Sequence, residues 1–332
     1  MGGGLIATVL SACTPIIDIH LEQADLVERL GLVSDGMTRF EDMRDRNQKE
    51  LESFIKDEKK AIFTGGGTCY NTCLACAGEE GVKSVFFGAF SNSSVSRRVF
   101  GGAIGGEVQK MEVVPEFFDG KGSTSVIIAN KGNRTMVSSI NPVQNITGSI
   151  CNALIRRVER EEELGRMCYI YLCGYSLSKG CPLIELGGMK RDGKLKTALV
   201  FNLSDPGVLK RSYEDVKETV FNSEWVMGNR QEFRELVKQI TGEYQQEKDF
   251  YGIIAKHVKN CVITDGSNPI ALIEEGKDPK IFEPKRLEIE ITVGAGDVFS
   301  GIFVSALAVG NTAEQSVVRA IEGTEKYLMG AR

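Results

Sequence analysis

Histidine is almost missing from this chain: His20 and His257 are the only two in 332 residues. That leaves no imidazole cluster for a metal site and argues against a Ser-His-Asp triad. No charge sign dominates. Lys and Arg number 40 against 45 Asp and Glu, for a net charge of -5, which speaks against broad, charge-driven binding to nucleic acid. The nine cysteines are odd in number and scattered, at 13, 69, 73, 76, 151, 168, 173, 181 and 261. They form no disulfide framework, so a reducing, cytoplasmic compartment is expected. Cys73 and Cys76 have C-x-x-C spacing, but they read better as small apolar fillers on a helix. The apolar run from Gly2 to Ile17 has no Lys or Arg before Arg29, so it lacks the basic start of a signal peptide. Ile6 stands where a myristoylation signal needs Ser or Thr. No membrane span is expected: Val293 to Gly310 is apolar, but it carries Asp297, two serines and several glycines. The chain has no G-x-x-x-x-G-K-[ST] and no H-R-D set. Gly2-x-Gly4-x-x-Ala7 mimics a dinucleotide fingerprint, but no strand precedes it.

What is present is an alternation of strands and helices. Ile6–Leu10, Val85–Phe90, Tyr169–Cys173, Ala198–Leu203, Trp225–Met227 and Cys261–Thr264 read as strands. Most are continuous apolar runs, as expected of strands covered on both faces. Between them lie helical patterns such as Phe233, Leu236, Val237 and Ile240, stopped by Gly242. The alternation predicts an α/β fold: a mostly parallel sheet with helices on both sides. Length allows two domains, and one large α/β domain over residues 1–332 fits equally well. Two regions break the rhythm. Thr124–Ala129 and Thr135–Ile140 flank Lys131-Gly132-Asn133-Arg134 and read as a hairpin. Residues 18–60 hold polar strands and a charged helix around Leu51, Phe54 and Ile55. Residues 18–60 and 113–140 are therefore expected to build a small accessory sheet, a lid over the main one. The charged stretch Arg156–Glu163 reads as the solvated face of a helix.

The chemistry concentrates in Leu287 to Leu307. Leu287, Ile289, Ile291 and Val293 alternate as a strand. Gly294-Ala295-Gly296-Asp297 then leads into Val298, Phe299, Ile302, Phe303, Ala306 and Leu307 at helical spacing. Glycine permits close backbone approach to a ligand, and a helix start offers N–H groups and a positive dipole end to phosphate oxygens. An aspartate in that first turn has two readings. It is a cap or dipole partner, or it is a general base beside an anion hole. A second cluster, Gly65-Gly66-Gly67-Thr68-Cys69-Tyr70-Asn71, leads into the helix Thr72–Ala77. Its glycines can pack against a flat ring or a sugar. Asn71 can bond sugar hydroxyls or merely cap that helix.

Together these clusters resemble the ribokinase (PfkB) family of carbohydrate and nucleoside kinases. The family's D-T-x-G-A-G-D-x-F-x-x-G stands here as Ile291-Thr292-Val293-Gly294-Ala295-Gly296-Asp297-Val298-Phe299-Ser300-Gly301-Ile302. The early G-G and Asn appear as Gly66, Gly67 and Asn71. The N-x-x-E motif appears as Asn229-Arg230-Gln231-Glu232, and the nucleotide-side strand and turn as Val262-Ile263-Thr264-Asp265-Gly266. All four fall in family order. Within the family the chain is most similar to the adenosine kinase branch. Pro15-Ile16-Ile17-Asp18 resembles that branch's opening strand, and Asn202-Leu203-Ser204 with Pro206 its N-L-S-x-P.

The resemblance implies a ribokinase-like, Rossmann-type three-layer sandwich with a β-sheet lid. It implies ATP and Mg²⁺ as cofactors, no protein ligand bound directly to a metal, and a nucleoside or sugar as substrate. The implied reaction is 5′-phosphorylation of a nucleoside, adenosine to AMP, with a sugar kinase or a catalytically silent binding homologue as alternatives. In that reading Asp297 is the base, and Gly294, Ala295 and Gly296 form the anion hole. Asp18, Gly66, Gly67 and Asn71 grip the sugar, while Asn229, Glu232, Thr264 and Gly266 serve ATP and Mg²⁺. Tyr175 and Met37 are candidate walls for the base. The sequence departs from the family at Cys13-Thr14 (for Gly-Asn), Ser91 and Ser93 (for the Gly and Asp of G-x-x-G-x-D), Arg230 (for Glu) and Ile291 (for Asp). Many family members respond to potassium through the Asp that Ile291 replaces.

Overall fold

The computed structural model describes residues 7–23, 25–33, 36–56, 61–106, 111–130, 133–141, 144–177, 180–243, 247–287 and 293–330. Its strands are β1 (Ala7–Ala12), β2 (Ile16–Leu21), β3 (Met37–Arg39), β4 (Ala61–Gly66), β5 (Val82–Ser91), β6 (Met111–Phe118), β7 (Thr124–Asn130), β8 (Asn133–Ser139), β9 (Met167–Cys173), β10 (Ala198–Asn202), β11 (Trp225–Asn229), β12 (Cys261–Asp265), β13 (Asn268–Ile273) and β14 (Lys280–Phe282). Nine make a main sheet in the order β14-β13-β12-β11-β10-β9-β1-β5-β6, and five a smaller one in the order β3-β8-β7-β2-β4.

From β12 to β6 neighbouring strands of the main sheet run parallel; β13 and β14 add an antiparallel edge. A parallel sheet needs cover on both faces, because its crossovers are helices. The chain shows that cover residue by residue. Along β1, Ala7 and Val9 join one core with Cys73, Phe303 and Val317, while Leu10 and Ala12 join the other with Leu154, Leu209 and Phe233. The expected strands and the expected helix-on-both-faces layering are therefore present. Trp225 anchors one layer, its ring 5.1 Å from Phe303 in an edge contact worth roughly 0.5–1.5 kcal/mol beyond burial.

The small sheet is amphipathic, as one open face requires. On β2, Ile17, Ile19 and Leu21 are buried, while Asp18 and His20 lie on the other face. The helix Asp45–Lys56 turns Leu51 inward. The hairpin of β7 and β8 pairs Thr124 with Ser139 and Asn130 with Asn133; Gly132 in its turn lies outside the described residues. The membership of this sheet differs from expectation at both ends. Residues 113–118 sit on β6, the edge of the main sheet, and β4, beyond residue 60, pairs with β2. Period-two alternation tells that a segment is a strand, but its partner is a tertiary choice.

Two local expectations also change. The stretch Arg156–Glu163 is not wholly solvated. Glu161 is 1% exposed, accepts from Thr8 Oγ1 at 3.1 Å, and pairs with Arg157 and Arg166. The helix expected from Thr72 begins at Thr68, with Gly67 as its cap. The strand read through Ile289 and Ile291 lies outside the described residues. No helix among the described residues is long and apolar enough to cross a membrane.

Candidate active site

The order of the main sheet puts β1 between β5 and β9, strands that the chain reaches in opposite directions from it. Such a reversal leaves a crevice at the carboxyl ends of the strands, where open α/β sheets take their ligands. Thr14, Ser91, Cys173, Asn202 and Asn229 stand at or just beyond those ends.

The helix Ala295–Ala308 starts beside this crevice. Gly294 precedes it in the left-handed region, at φ 78°, a conformation glycine adopts without strain. A side chain there would also press on Tyr327, whose Oη lies 3.1 Å from the Cβ position and donates to the Val293 carbonyl. The opening amides at Ala295 and Gly296 have no acceptor within the helix. Gly296 is exposed, with open space where a Cβ would stand, so a ligand's oxygens can approach them.

Asp297 is the third residue of that helix, and its Oδ2 accepts from Asn71 Nδ2 at 2.9 Å across 226 residues of sequence. Small residues make this meeting possible. A Cβ on Gly301 would lie 2.6 Å from both Ala75 Cβ and the Thr72 carbonyl oxygen. The two helices therefore touch through backbone, and Cys76 Sγ donates to the Gly301 carbonyl at 3.3 Å. Cys73 and Cys76 are wholly buried, and burial pushes the Cys73 thiol up to about 12. Both serve packing, as read. Asn71 is not a cap. Its N–H makes the first full-turn bond of its helix, to the Gly67 carbonyl, and its side chain is given to Asp297.

On the small sheet, Asp18 pairs in register with Thr64, and its carboxyl group reaches diagonally over Gly66. A Cβ at Gly66 would stand 2.0 Å from Asp18 Oδ2, so any larger residue there would push the carboxyl group from its place. Burial raises the Asp18 pKa to about 7. Gly67, at φ 104°, turns the chain from β4 into the helix of Asn71, its Cβ position 3.4 Å from the Thr14 carbonyl. Asp18, Gly66, Gly67, Asn71 and Asp297 thus form one continuous stretch of contacts.

The remaining candidates sit along the strand ends. Ser204 is the one non-glycine at positive φ (71°) among the described residues. It is held there by Asn202 Oδ1, which accepts from its N–H at 2.8 Å, and by its Oγ, which accepts from the Gly174 N–H at 2.8 Å. Asn202 also reaches Ser300 on the Asp297 helix, at 3.4 Å. Asn229 caps the helix Arg230–Thr241 and forms a closed box with Glu232, whose two carboxyl oxygens accept from Asn229 N–H at 2.9 Å and Nδ2 at 2.6 Å. Burial raises the Glu232 pKa to about 7, with the charges of Asp205 and Asp297 adding to it. Thr264 pairs in register with Asn229 and bonds the Gly228 carbonyl; Gly266 lies in the exposed turn that follows. Tyr175 is 44% exposed beside Ser204, and Met37 is 53% exposed on the edge strand β3. Arg230 turns away, onto the rings of Phe250 and Tyr251. Ser93 caps the helix Ser94–Ile104.

One organising residue escaped the sequence reading. Gln144 is 3% exposed and ties the link between the two sheets. Its Nε2 donates to the Pro15 and Ala89 carbonyls, its Oε1 accepts from Ser123 N–H, and its carbonyl accepts from Thr14 Oγ1. A lone glutamine three residues after Asn141 carries no pattern that would single it out.

The family model of the pfkB family carbohydrate kinases matches residues 56–322. The chain belongs to the pfkB family. Membership makes it a kinase, a phosphotransferase with an alcohol acceptor, and implies ATP as its donor. Solved structures agree on the fold. The apo adenosine kinase of Trypanosoma brucei brucei matches with a TM-score of 0.80 at 16% identity, over 97% of this chain and 99% of that one. The Anopheles gambiae adenosine kinase, in complex with P1,P4-di(adenosine-5) tetraphosphate, gives 0.76 at 18%, over 96% and 95%. A probable sugar kinase from Rhizobium etli CFN 42 gives 0.73 at 17%, over 98% and 94%. No curated protein matches the chain by sequence.

Proposed function

We propose that this pfkB-family kinase phosphorylates the 5′-hydroxyl of a nucleoside, adenosine to AMP being the leading case. The observation that carries it is the Asn71–Asp297 bond. It joins a carboxylate at an open helix start to an amide on the neighbouring glycine-rich segment, next to Asp18. Asp297 takes the hydroxyl proton as the 5′-oxygen bonds to phosphorus. The amides of Ala295 and Gly296, with the helix dipole behind them, hold the phosphoryl oxygens as charge builds. Asp18, Gly66, Gly67 and Asn71 hold the ribose.

ATP with Mg²⁺ supplies the phosphoryl group. The donor set fits an indirect role for the N-x-x-E pair. Both Glu232 oxygens are already held by Asn229, so Glu232 fixes Asn229 at the strand end. Thr264 and Gly266 border the adjoining nucleotide side. The small sheet, hinged at Thr14-Pro15 and clamped by Gln144, closes over the bound nucleoside and excludes water.

The second reading is a sugar kinase, and the likeness to the Rhizobium etli protein favours it. Release of ADP from ATP and Mg²⁺ with a panel of nucleosides and free sugars separates the two. Adenosine should lead in kcat/KM, and a 2′,3′-dideoxynucleoside should fall far below it. Ribose or fructose outrunning every nucleoside would replace this reading with the sugar kinase. No turnover with any acceptor would point to the silent homologue.

A further inference from the structure

Three cysteines that the kinase reading leaves unused meet at the crevice. Cys13 follows β1, Cys173 ends β9, and Cys69 is the second residue of the Asn71 helix. Cys13 and Cys173 are 4.0 Å apart, sulfur to sulfur, and all three sulfurs lie within 4.8 Å of one another. Among the described residues this is the one such grouping of His, Cys, Asp or Glu. Each cysteine is at most 4% exposed. The hydroxyl of Ser176 adds an oxygen, 3.1 Å from Cys173 Sγ and 3.6 Å from Cys69 Sγ.

We infer that Cys13, Cys69 and Cys173 form a three-thiolate site for Zn²⁺, with Ser176 Oγ at its fourth position. The spacing fits the ion. Tetrahedral zinc with sulfur at about 2.3 Å separates its thiolates by about 3.8 Å, close to the separation already present. The charge fits as well. Three thiolates leave the filled site at −1, and Cys69 sits in the first turn of a helix, where the dipole favours an anion. The protons of the thiols pass to solvent as the zinc–sulfur bonds form.

Filling the site would fasten the end of β1, the end of β9 and the start of the Asn71 helix to a single ion. The other buried cysteines offer no equivalent. Cys261 is buried singly on β12, with burial alone raising its pKa.

The test uses the full chain, kept reduced with a phosphine and stripped of metal, and titrates Zn²⁺ against a chromophoric chelator. One equivalent should bind. Co²⁺ in its place should show sulfur-to-cobalt charge transfer. Cys13→Gly, which restores the glycine the family resemblance expects, should weaken Zn²⁺ binding by about 100-fold or more. Cys173→Ser should do the same, and Cys261→Ser should leave it unchanged. Three results would overturn the site: no stoichiometric uptake by the folded wild type, uptake undiminished in Cys13→Gly, or, in chain purified without reductant, a Cys13–Cys173 disulfide, two hydrogens lighter by mass, in place of zinc.

Discussion

The helices Arg230–Thr241 and Ala295–Ala308 each carry a carboxyl group on their third residue, Glu232 and Asp297. Each starts on the crevice side of the main sheet. Their surroundings then diverge. Asn229 closes on Glu232 from both its backbone and its side chain, so that helix start is finished from within. Gly294 has no side chain to offer, and Asp297 reaches instead to Asn71, on a different helix. An acid at the same helical position closes a cap where the residue before the helix is Asn and turns to a neighbouring helix where it is Gly. The difference lies in the partner, which for Asp297 is far off in sequence.

The largest expected effect tests that contrast directly. Asp297→Asn should lower kcat by roughly 10²–10⁴ while leaving the melting temperature near wild type. Glu232→Gln should keep most of the turnover, because a glutamine still accepts from Asn229, and should cost about 0.5–2 kcal/mol of stability. Equal losses of kcat in the two variants would erase the distinction. Asn71→Ala comes next. It removes a hydrogen bond to a charged group and should lower kcat/KM by about 10- to 100-fold. A variant with unchanged kinetics would show that the 2.9 Å contact has no part in the reaction.

Asp18 gives a pH test. Its folded pKa of about 7 stands above the unfolded value of about 4. A raised carboxyl holds its proton more tightly when folded. Its stabilising contribution is complete below pH 4 and is lost as pH rises through 7. Asp18→Asn should flatten that decline, by about 1–3 kcal/mol at pH 8 once partial solvent contact is allowed for. Nucleoside affinity should move the other way, rising towards pH 7, since a carboxylate accepts two hydroxyl protons and a carboxylic acid fewer. A stability profile that is the same in wild type and variant would remove Asp18 from this account.

These contrasts also mark how far the sequence was legible. Continuous apolar runs revealed the main strands, because runs that short, alternating with longer helical patterns, fit strands buried on both faces. Glycines next to Asp297 revealed a helix start open to a ligand. Neither revealed that Gly301 and Ala75 bring two helices into backbone contact, nor that Asn71 lies inside its helix rather than at its cap. Sheet membership was also out of reach: β6 and β4 both look like edge strands, and only pairing assigns them. Gln144 and the Cys13–Cys69–Cys173 cluster have no spacing signature, because three separate strand and helix ends assemble them.

The smallest expected effect concerns the approach to the open helix start. Ile291 stands three residues before Gly294, where the family resemblance expects an aspartate that helps to hold a monovalent cation. It lies outside the described residues, and its chemistry is what bears on the ion. Isoleucine carries no oxygen, and hard cations require oxygen ligands. Carbonyl dipoles replace a full negative charge poorly, since the attraction between unit charges at about 4 Å is worth about 4 kcal/mol near a protein surface. Turnover should therefore change by less than about twofold when potassium replaces tetramethylammonium at fixed ionic strength, against the much larger loss from Asp297→Asn. Ile291→Asp should introduce a saturable response to potassium, because it returns the missing charge. Strong activation of the wild type would mean that backbone oxygens alone build the cation site, and that the helix start is electrostatically complete without a carboxylate at 291.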